Sequence, residues 1–290
     1  MDIGLFTQTA LTAVTLGLMY ALIAIGLTLI FGVMRIVQYA HGELYMLGAY
    51  ALYYATTQLG IPYWFSVILS AAALFVVGAV LQVVLFRPLI GKNMLYSLAV
   101  SMGLIFIISS GGLLMFGTVV RGIPSPFDGG ITMLGALLTY ERLTISLISG
   151  ALIIGLWQFL AHTKMGMSLR AVSEDAEVAS LQGVNTKRTH WIAFGLGSAL
   201  AAIAGCLMGT LLSIVPTMGF GATMKAFMIV IMGGLGSIPG ALIGAMILGV
   251  IDSFGTTLLN ADIAYIIGFS VIFITLVIRP TGLFGQRWDG

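Results

Sequence analysis

The sequence predicts an all-α fold, a polytopic membrane helix bundle of about eight spans with a broken or re-entrant segment near residues 225–240. Hydrophobic residues make up 59% of the 290 residues and charged residues only 8%, whereas a soluble domain carries about 25% charged residues. Several apolar stretches reach the roughly 20 residues that a helix needs to cross a bilayer. Glycine, with 38 residues, is also frequent, as is typical of membrane helices. Residues 1–290 are therefore expected to form a single transmembrane domain.

Eight apolar segments follow one another along the chain, separated by prolines, glycines or charged residues. They are residues 9–34, 41–59, 63–86, 95–120, 143–161, 191–215, 226–259 and 263–278. The first is much longer than the apolar core of a signal peptide and follows an acid, Asp2, so it is expected to remain as a helix. The seventh contains the glycine-rich stretch at 233–240, which predicts a broken helix whose backbone is buried in protein or lines a cavity.

The charges of the loops predict the orientation in the membrane. The loop at 163–190 holds four of the twelve basic residues and is placed in the cytoplasm. The loop at 121–142 has balanced charges and is placed outside, and the alternation puts the N-terminus on the periplasmic side. The side of the C-terminus stays open, because Arg279 and Arg287 favour the cytoplasm while a count of eight spans does not. An extra short span or a re-entrant segment after residue 225 would reconcile the two.

The loop at 163–190 is predicted to carry a short helix that lies on a surface. Ser173 is a plausible N-cap, and Gly183 follows the last turn, where a left-handed backbone favours glycine. Val178 and Leu181, three residues apart, share one apolar face. Because so short a helix is not stable alone in water, it is expected to pack either on this protein's own helix ends or in a cleft of a partner.

Three motifs resemble those of LivH-type permease subunits of the branched-chain amino acid (leucine, isoleucine, valine) ABC importers. The loop from residue 166 is similar to the family's G-x-x-L-R-A-x-x-x-D-x-x-x-A-x-x-x-G-I pattern, with Val184 in place of isoleucine. The Ala-His-Gly-Glu run at 40–43 resembles the family's N-F-A-H-G-E/D segment. Lys225-Ala226-Phe227, with the glycine-rich stretch that follows it, is similar to a third motif. The resemblance covers nearly the whole chain.

The resemblance implies a permease subunit that works by alternating access and has no catalytic residue. The residues expected to couple it to an ATPase are Gly166, Leu169, Arg170, Ala171, Glu174, Asp175, Ala179, Gly183 and Val184. Interrupted helices in both halves of a transporter point to a central substrate path, which is predicted at Gln38, His41, Gly42, Glu43, Gly233, Gly234, Gly236 and Ser237. Two explanations stay open for Glu43 and for Asp252, a buried role and a position in the wet interface. Lys225 is a candidate partner of Asp252.

The resemblance also implies a second permease subunit of the LivM type, two cytoplasmic ATPase subunits and a periplasmic substrate-binding protein, all at a bacterial inner membrane. The chain has no G-x-x-x-x-G-K-[ST] phosphate loop, so ATP and Mg are expected on the ATPases, and no cofactor or metal on this chain. The net charge of +2 is small and gives no reason to expect nucleic-acid binding. The alternatives are a permease of the same family for an amide or urea, a stand-alone secondary transporter and a non-transporting scaffold.

Overall fold

Long apolar runs form the helices of this chain, and each helix ends where a proline, a glycine or a polar residue interrupts the run. The structure, a computed structural model, describes residues 3–133 and 135–285. Its helices are α1 (Ile3–Met34), α2 (His41–Thr57), α3 (Tyr63–Leu81), α4 (Met94–Phe116), α5 (Tyr140–His162), α6 (Lys164–Glu174), α7 (Ala176–Leu181), α8 (Thr186–Leu211), α9 (Met218–Gly233), α10 (Ile238–Leu258) and α11 (Ala261–Ile278). A π-turn and a 3-10 turn prolong α3 to Leu89.

Within the described ranges, seven helices are long and apolar enough to cross a membrane, namely α1, prolonged α3, α4, α5, α8, α10 and α11. Two more are shorter, α2 with 17 residues and α9 with 16. The predicted helical membrane bundle is therefore confirmed. No strand is predicted from the sequence, but the loop at 121–142 contains a hairpin of β1 (Gly130–Met133) and β2 (Ala136–Thr139), with Gly130 opposite Thr139.

The two ends of the bundle are distinguished by the loops that meet there. A cavity of about 510 Å³ is lined by the end of α1, by the segments that follow α1 and α3, by residues of α6 and α7, and by the first turns of α4 and α8. We call this the loop end, since it carries the charged loop at 163–190. At the opposite end, the backbones of Arg121 and Ile214 pair, and the Ser253 hydroxyl donates to the carbonyl of Thr9 at 2.7 Å.

The last third of the chain contains one more span than the sequence predicts, because the predicted segment at 226–259 belongs to two helices. α8 ends at Leu211 rather than at residue 215, and residues 212–217 lead back into the bundle to α9. α9 runs to the loop end, α10 returns, and α11 crosses again. The backbone N–H of Phe284 donates to the carbonyl of Gly233 at 3.0 Å, so residues 279–285 lie at the loop end. α9 is the extra short span that places Arg279 beside the other basic loops; Arg287 lies outside the described residues.

The glycine-rich break lies at the loop end, not at membrane depth. Gly234 and Gly236 have φ angles of +104° and +82°, which favour glycine, and they form a tight turn between α9 and α10. Gly233 and Gly240 approach so closely that a Cβ on either would overlap the backbone of the other. The Ser237 side chain caps α10 by accepting from the N–H of Gly240 at 3.2 Å. The helix is broken here, as the sequence predicts, and Gly236 and Ser237 line a cavity, but this cavity lies at the loop end and not in the middle of the bundle.

Two other interruptions do lie in the middle of the bundle. Residues 35–40 run back along α1, so that Nε2 of His41 lies 3.1 Å from the carbonyl of Ile23. Ile23 precedes the end of α1 by eleven residues, or about 16 Å of helix. α2 therefore begins at mid-depth. In the second half, residues 212–217 play the corresponding part, and α9 begins at mid-depth as well.

The two halves meet where α2 and α9 begin. The hydroxyl of Thr223 accepts from the N–H of Gly42 at 3.0 Å, and a Cβ on Gly42 would overlap the carbonyl of Gly219. α1 runs towards the loop end and its counterpart α8 runs away from it, as in the inverted repeats of transporters. In the second half the sequence offers two interruptions, Pro216 and the stretch at 233–240, and the structural counterpart of the break at 38–43 is residues 212–217, which contain Pro216.

Candidate functional site

The charged loop folds into two short helices rather than one. Asp175 separates them, and its Oδ1 accepts from the backbone N–H groups of Glu177 at 2.9 Å and Val178 at 3.0 Å. Ser173, the predicted N-cap, lies in the last turn of α6, where its hydroxyl donates to the carbonyl of Arg170 at 2.7 Å. The predicted start is therefore wrong, because a carboxylate two residues later satisfies the free N–H groups of α7.

The predicted end of this helix is confirmed. Gly183 follows α7 with a φ of +85°, and the N–H of Val184 donates to the carbonyl of Ala179 at 3.1 Å. A glycine at this position relieves the strain that a left-handed backbone imposes on other residues. α7 is thus held in place at both of its ends.

The nine predicted coupling residues divide into two groups. Buried or half-buried against the bundle are Gly166, Leu169, Ala171, Ala179 and Val184, and exposed at the loop end are Arg170, Glu174, Asp175 and Gly183. Gly166 packs directly on the backbone of Leu160 in α5, and Nη2 of Arg170 donates to the carbonyl of Ala161 at 3.2 Å. These contacts fix α6 to the end of α5. Their role in coupling stays a prediction.

The apolar face of α7 points away from the bundle. Val178 is 47% exposed and Leu181 is 82% exposed. Ala179, between them in sequence, is buried and holds the other side of the helix against the protein. The chain's own helix ends therefore do not cover the face that Val178 and Leu181 share.

The first group of predicted path residues lies deep in the bundle. Gln38 and His41 are fully buried, and Glu43 is 1% exposed. Nδ1 of His41 lies 3.3 Å from Oε1 of Gln38, so one ring nitrogen contacts the interrupted segment while the other contacts α1. Glu43 lies beside Gly219 of α9, and its Oε2 has no hydrogen-bond partner in the part of the chain that is described. The wet-interface explanation of Glu43 is therefore wrong.

The second group of predicted path residues lies elsewhere. Gly233, Gly234, Gly236 and Ser237 form the turn at the loop end, and a cavity of about 220 Å³ separates this turn from Leu169 of α6. The structure thus does not bring the two groups together. The turn lies beside the charged loop instead, where a movement of α6 would reach the ends of α1 and α10.

A partly buried ion pair, together with Tyr20, joins three helices near the middle of the bundle. The ammonium of Lys225 on α9 pairs with Oδ2 of Asp252 on α10, which confirms Lys225 as the partner. The hydroxyl of Tyr20 on α1 donates to the same oxygen at 2.7 Å. The side chains of Lys225 and Asp252 are 26% and 10% exposed, so both remain accessible from a cavity.

Two adjoining cavities meet beside Lys225 and Tyr20, and Asp252 lines the larger of them. Four residues line both of them: Tyr20, Met208, Leu212 and Lys225. The larger cavity, about 410 Å³, extends towards the end opposite the loop end, past Arg142. The smaller, about 220 Å³, is mostly apolar and is lined by α1, α2, α8 and α9. None of the predicted path residues lines either cavity. The feature of the sequence that indicates these cavities is a lysine and an aspartate within apolar runs.

Comparison with known proteins matches residues 9–276 to the family described as branched-chain amino acid transport system / permease component. BraD of Pseudomonas aeruginosa, a high-affinity branched-chain amino acid transport system permease protein, is 32% identical over 97% of this chain and 96% of its own length. LivH of Escherichia coli has the same identity and coverage. PsaBC from Streptococcus pneumoniae, solved with a Fab, has a similar fold, with a TM-score of 0.52 and 12% identity over 96% of this chain and 92% of that one.

Proposed function

The chain belongs to the family of branched-chain amino acid transport system permease components, and from this membership we propose that it is the membrane-spanning subunit of an ATP-driven importer for branched-chain amino acids. It is a transport subunit and not an enzyme. The observation that carries the ATP-driven part is α7, a capped helix whose apolar face is exposed, with Leu181 82% exposed. An apolar face of this kind on a fixed helix is suited to a cleft in another subunit.

The proposed orientation places the loop end in the cytoplasm of a bacterial cell and the N-terminus in the periplasm. The support is the concentration of basic residues in the loop at 163–190 and at Arg279, since cytoplasmic loops carry an excess of lysine and arginine. In this orientation the larger cavity beside Lys225 extends towards the periplasm. A substrate-binding protein would deliver the amino acid there.

The proposed assembly contains a second permease of the LivM type and two ATPases that hold ATP and Mg. α7 lies in a cleft of one ATPase, and α6 passes its movement to the bundle through Gly166 and Leu169. Because Gly166 packs on the backbone of Leu160 without an intervening side chain, a displacement of α6 must move α5 with it. The turn at 233–240 faces Leu169 of α6 across the cavity of about 220 Å³, so a displacement of α6 would also reach this turn.

Co-purification tests this assembly. The tagged chain would be co-expressed with the second permease and the ATPases encoded beside its gene, and extracted in mild detergent. We expect all of the subunits to elute together in a fixed ratio, since the exposed face of α7 requires a partner. Elution of a folded chain without the ATPases, together with solute transport by that chain alone, would instead support the stand-alone secondary transporter.

A further inference from the structure

We propose that the ion pair of Lys225 and Asp252, with the apolar cavity beside it, forms the site through which a zwitterionic α-amino acid passes. The substrate carboxylate pairs with Lys225, the substrate ammonium pairs with Asp252, and the apolar side chain occupies the smaller cavity. This site rests on the proposed function and gives that function a location within a single permease subunit.

The charges of the site match those of a zwitterion. Charges inside a membrane protein are costly unless they are paired, and without substrate Lys225 and Asp252 neutralise each other. A zwitterion brings one charge of each sign, so each protein charge exchanges one partner for another and the total charge stays at zero. A fatty acid or a simple amine would leave one protein charge without a partner.

The lining of the smaller cavity matches an apolar side chain. Met19, Ile23, Met208 and Ala222 are among its lining residues, and methionine side chains adapt to differently shaped apolar groups. A charged substrate side chain would lose its hydration there without gaining a charged partner, because Lys225, the charged residue of this lining, already pairs with the substrate carboxylate. The cavity therefore favours leucine, isoleucine or valine over arginine or glutamate.

The position of the site in the fold also fits. α9 begins at mid-depth, and its first turns line the same cavity through Met218 and Gly221. The side chain of its N-cap, Thr217, makes no capping hydrogen bond. In transporters, the N-terminus of such a half-helix carries a partial positive charge that favours an anionic group. The larger cavity connects this point to the end opposite the loop end, which supplies a route of entry.

Tyr20 positions the two charges. Its hydroxyl donates to Asp252 and accepts from Lys225, so it holds both groups on one side of α1. When a substrate separates the ion pair, the same hydroxyl can keep a hydrogen bond to either of them. The three residues come from three helices, so the contacts at the substrate site depend on the relative positions of α1, α9 and α10.

A purely structural ion pair is the competing explanation, and labelling with a photoactivatable leucine (photo-leucine) separates the two. The complete complex of two permeases and two ATPases in lipid nanodiscs would be labelled, and the modified residues mapped by mass spectrometry. We expect labels on residues of the smaller cavity, such as Met19 and Met208. Excess leucine should remove them, while leucinamide and isocaproate, each lacking one of the two charges, should compete about tenfold or more weakly.

The K225M/D252L double variant removes both charges, so that no unpaired charge remains and the helices can stay together. We expect its labelling to fall about tenfold or more while its melting temperature stays near that of the wild type. A second variant, Tyr20→Phe, deletes the hydroxyl that positions the two charges. Tyr63→Phe is its matched control, because it also deletes one hydroxyl that bridges two helices: the hydroxyl of Tyr63 on α3 lies 3.3 Å from that of Thr210 on α8. The control should label normally, and Tyr20→Phe should not.

Competition by leucinamide and isocaproate as strong as competition by leucine would overturn this site. Labels confined to other parts of the complex would overturn it as well. The competition is measured on the wild type, so it decides the question even if the double variant does not fold. If the wild type imports leucine with ATP but is labelled elsewhere, the site is wrong and the proposed function stands. If the wild type imports no branched-chain amino acid, the proposed function is wrong as well.

Discussion

Replacing Leu181 with aspartate is expected to weaken binding of the ATPase about tenfold to a hundredfold and to abolish ATP-driven uptake, while the permease still folds. Leu181 is 82% exposed, so the substitution removes little packing within this chain. Burial of a leucine side chain contributes about 1.5–3 kcal/mol, and each 1.4 kcal/mol corresponds to about tenfold in affinity. A buried aspartate would add a desolvation cost. Titration of detergent-solubilised permease with purified ATPase measures the affinity.

Gln182→Glu is the control for this variant, because it places a negative charge on the next residue, where an exposed polar side chain already stands. We expect a much smaller loss of affinity, since the leucine face remains intact. If Leu181→Asp binds the ATPase as tightly as the control does, α7 is not the docking element, and the assignment of the charged loop to coupling is wrong.

Replacing Gly42 with alanine is expected to destabilise the whole bundle. The new Cβ would overlap the carbonyl of Gly219 and the side chain of Thr223, at the point where α2 and α9 begin. Overpacking typically costs about 1–3 kcal/mol, and the upper end is expected here because a backbone carbonyl cannot rotate away. The apparent melting temperature in detergent should fall by about 5 °C or more.

Gly103→Ala provides the control for a glycine within a helix. An added Cβ at Gly103 in α4 meets no atom within 4 Å, and alanine is favoured over glycine inside a helix by about 0.5–1 kcal/mol. We therefore expect unchanged or slightly higher stability. Equal melting temperatures for the two variants would contradict the close contact between the beginnings of α2 and α9.

The features that the sequence predicts well depend on composition and on neighbouring residues. The apolar runs, the loops between them and the left-handed Gly183 all follow from local chemistry, and the structure contains them. The N-cap of α7 was misplaced because Ser173 and Asp175 are both good N-caps. Which of them caps α7 depends on where α6 ends, and α6 packs on the bundle through Gly166, Leu169 and Val172 as far as its last turn.

The features that the sequence does not predict depend on how the helices pack. The apolar run of α8 continues into residues 212–215 without a change of composition, so only Pro216 marks the interruption that lets α9 begin at mid-depth. The ion pair with Tyr20 cannot be derived from a single sequence for the same reason. Asp252 follows Lys225 by 27 positions and Tyr20 by 232, and the contact exists only because α1, α9 and α10 meet.

Uptake of radiolabelled leucine into sealed proteoliposomes tests the central claim most directly. The vesicles would contain the chain, its second permease and both ATPases, with the binding protein on the side of the N-terminus and ATP on the side of the charged loop. We predict accumulation of leucine that requires ATP hydrolysis and is lost with Leu181→Asp. Equal uptake without ATP, or uptake by this chain alone, would contradict the account.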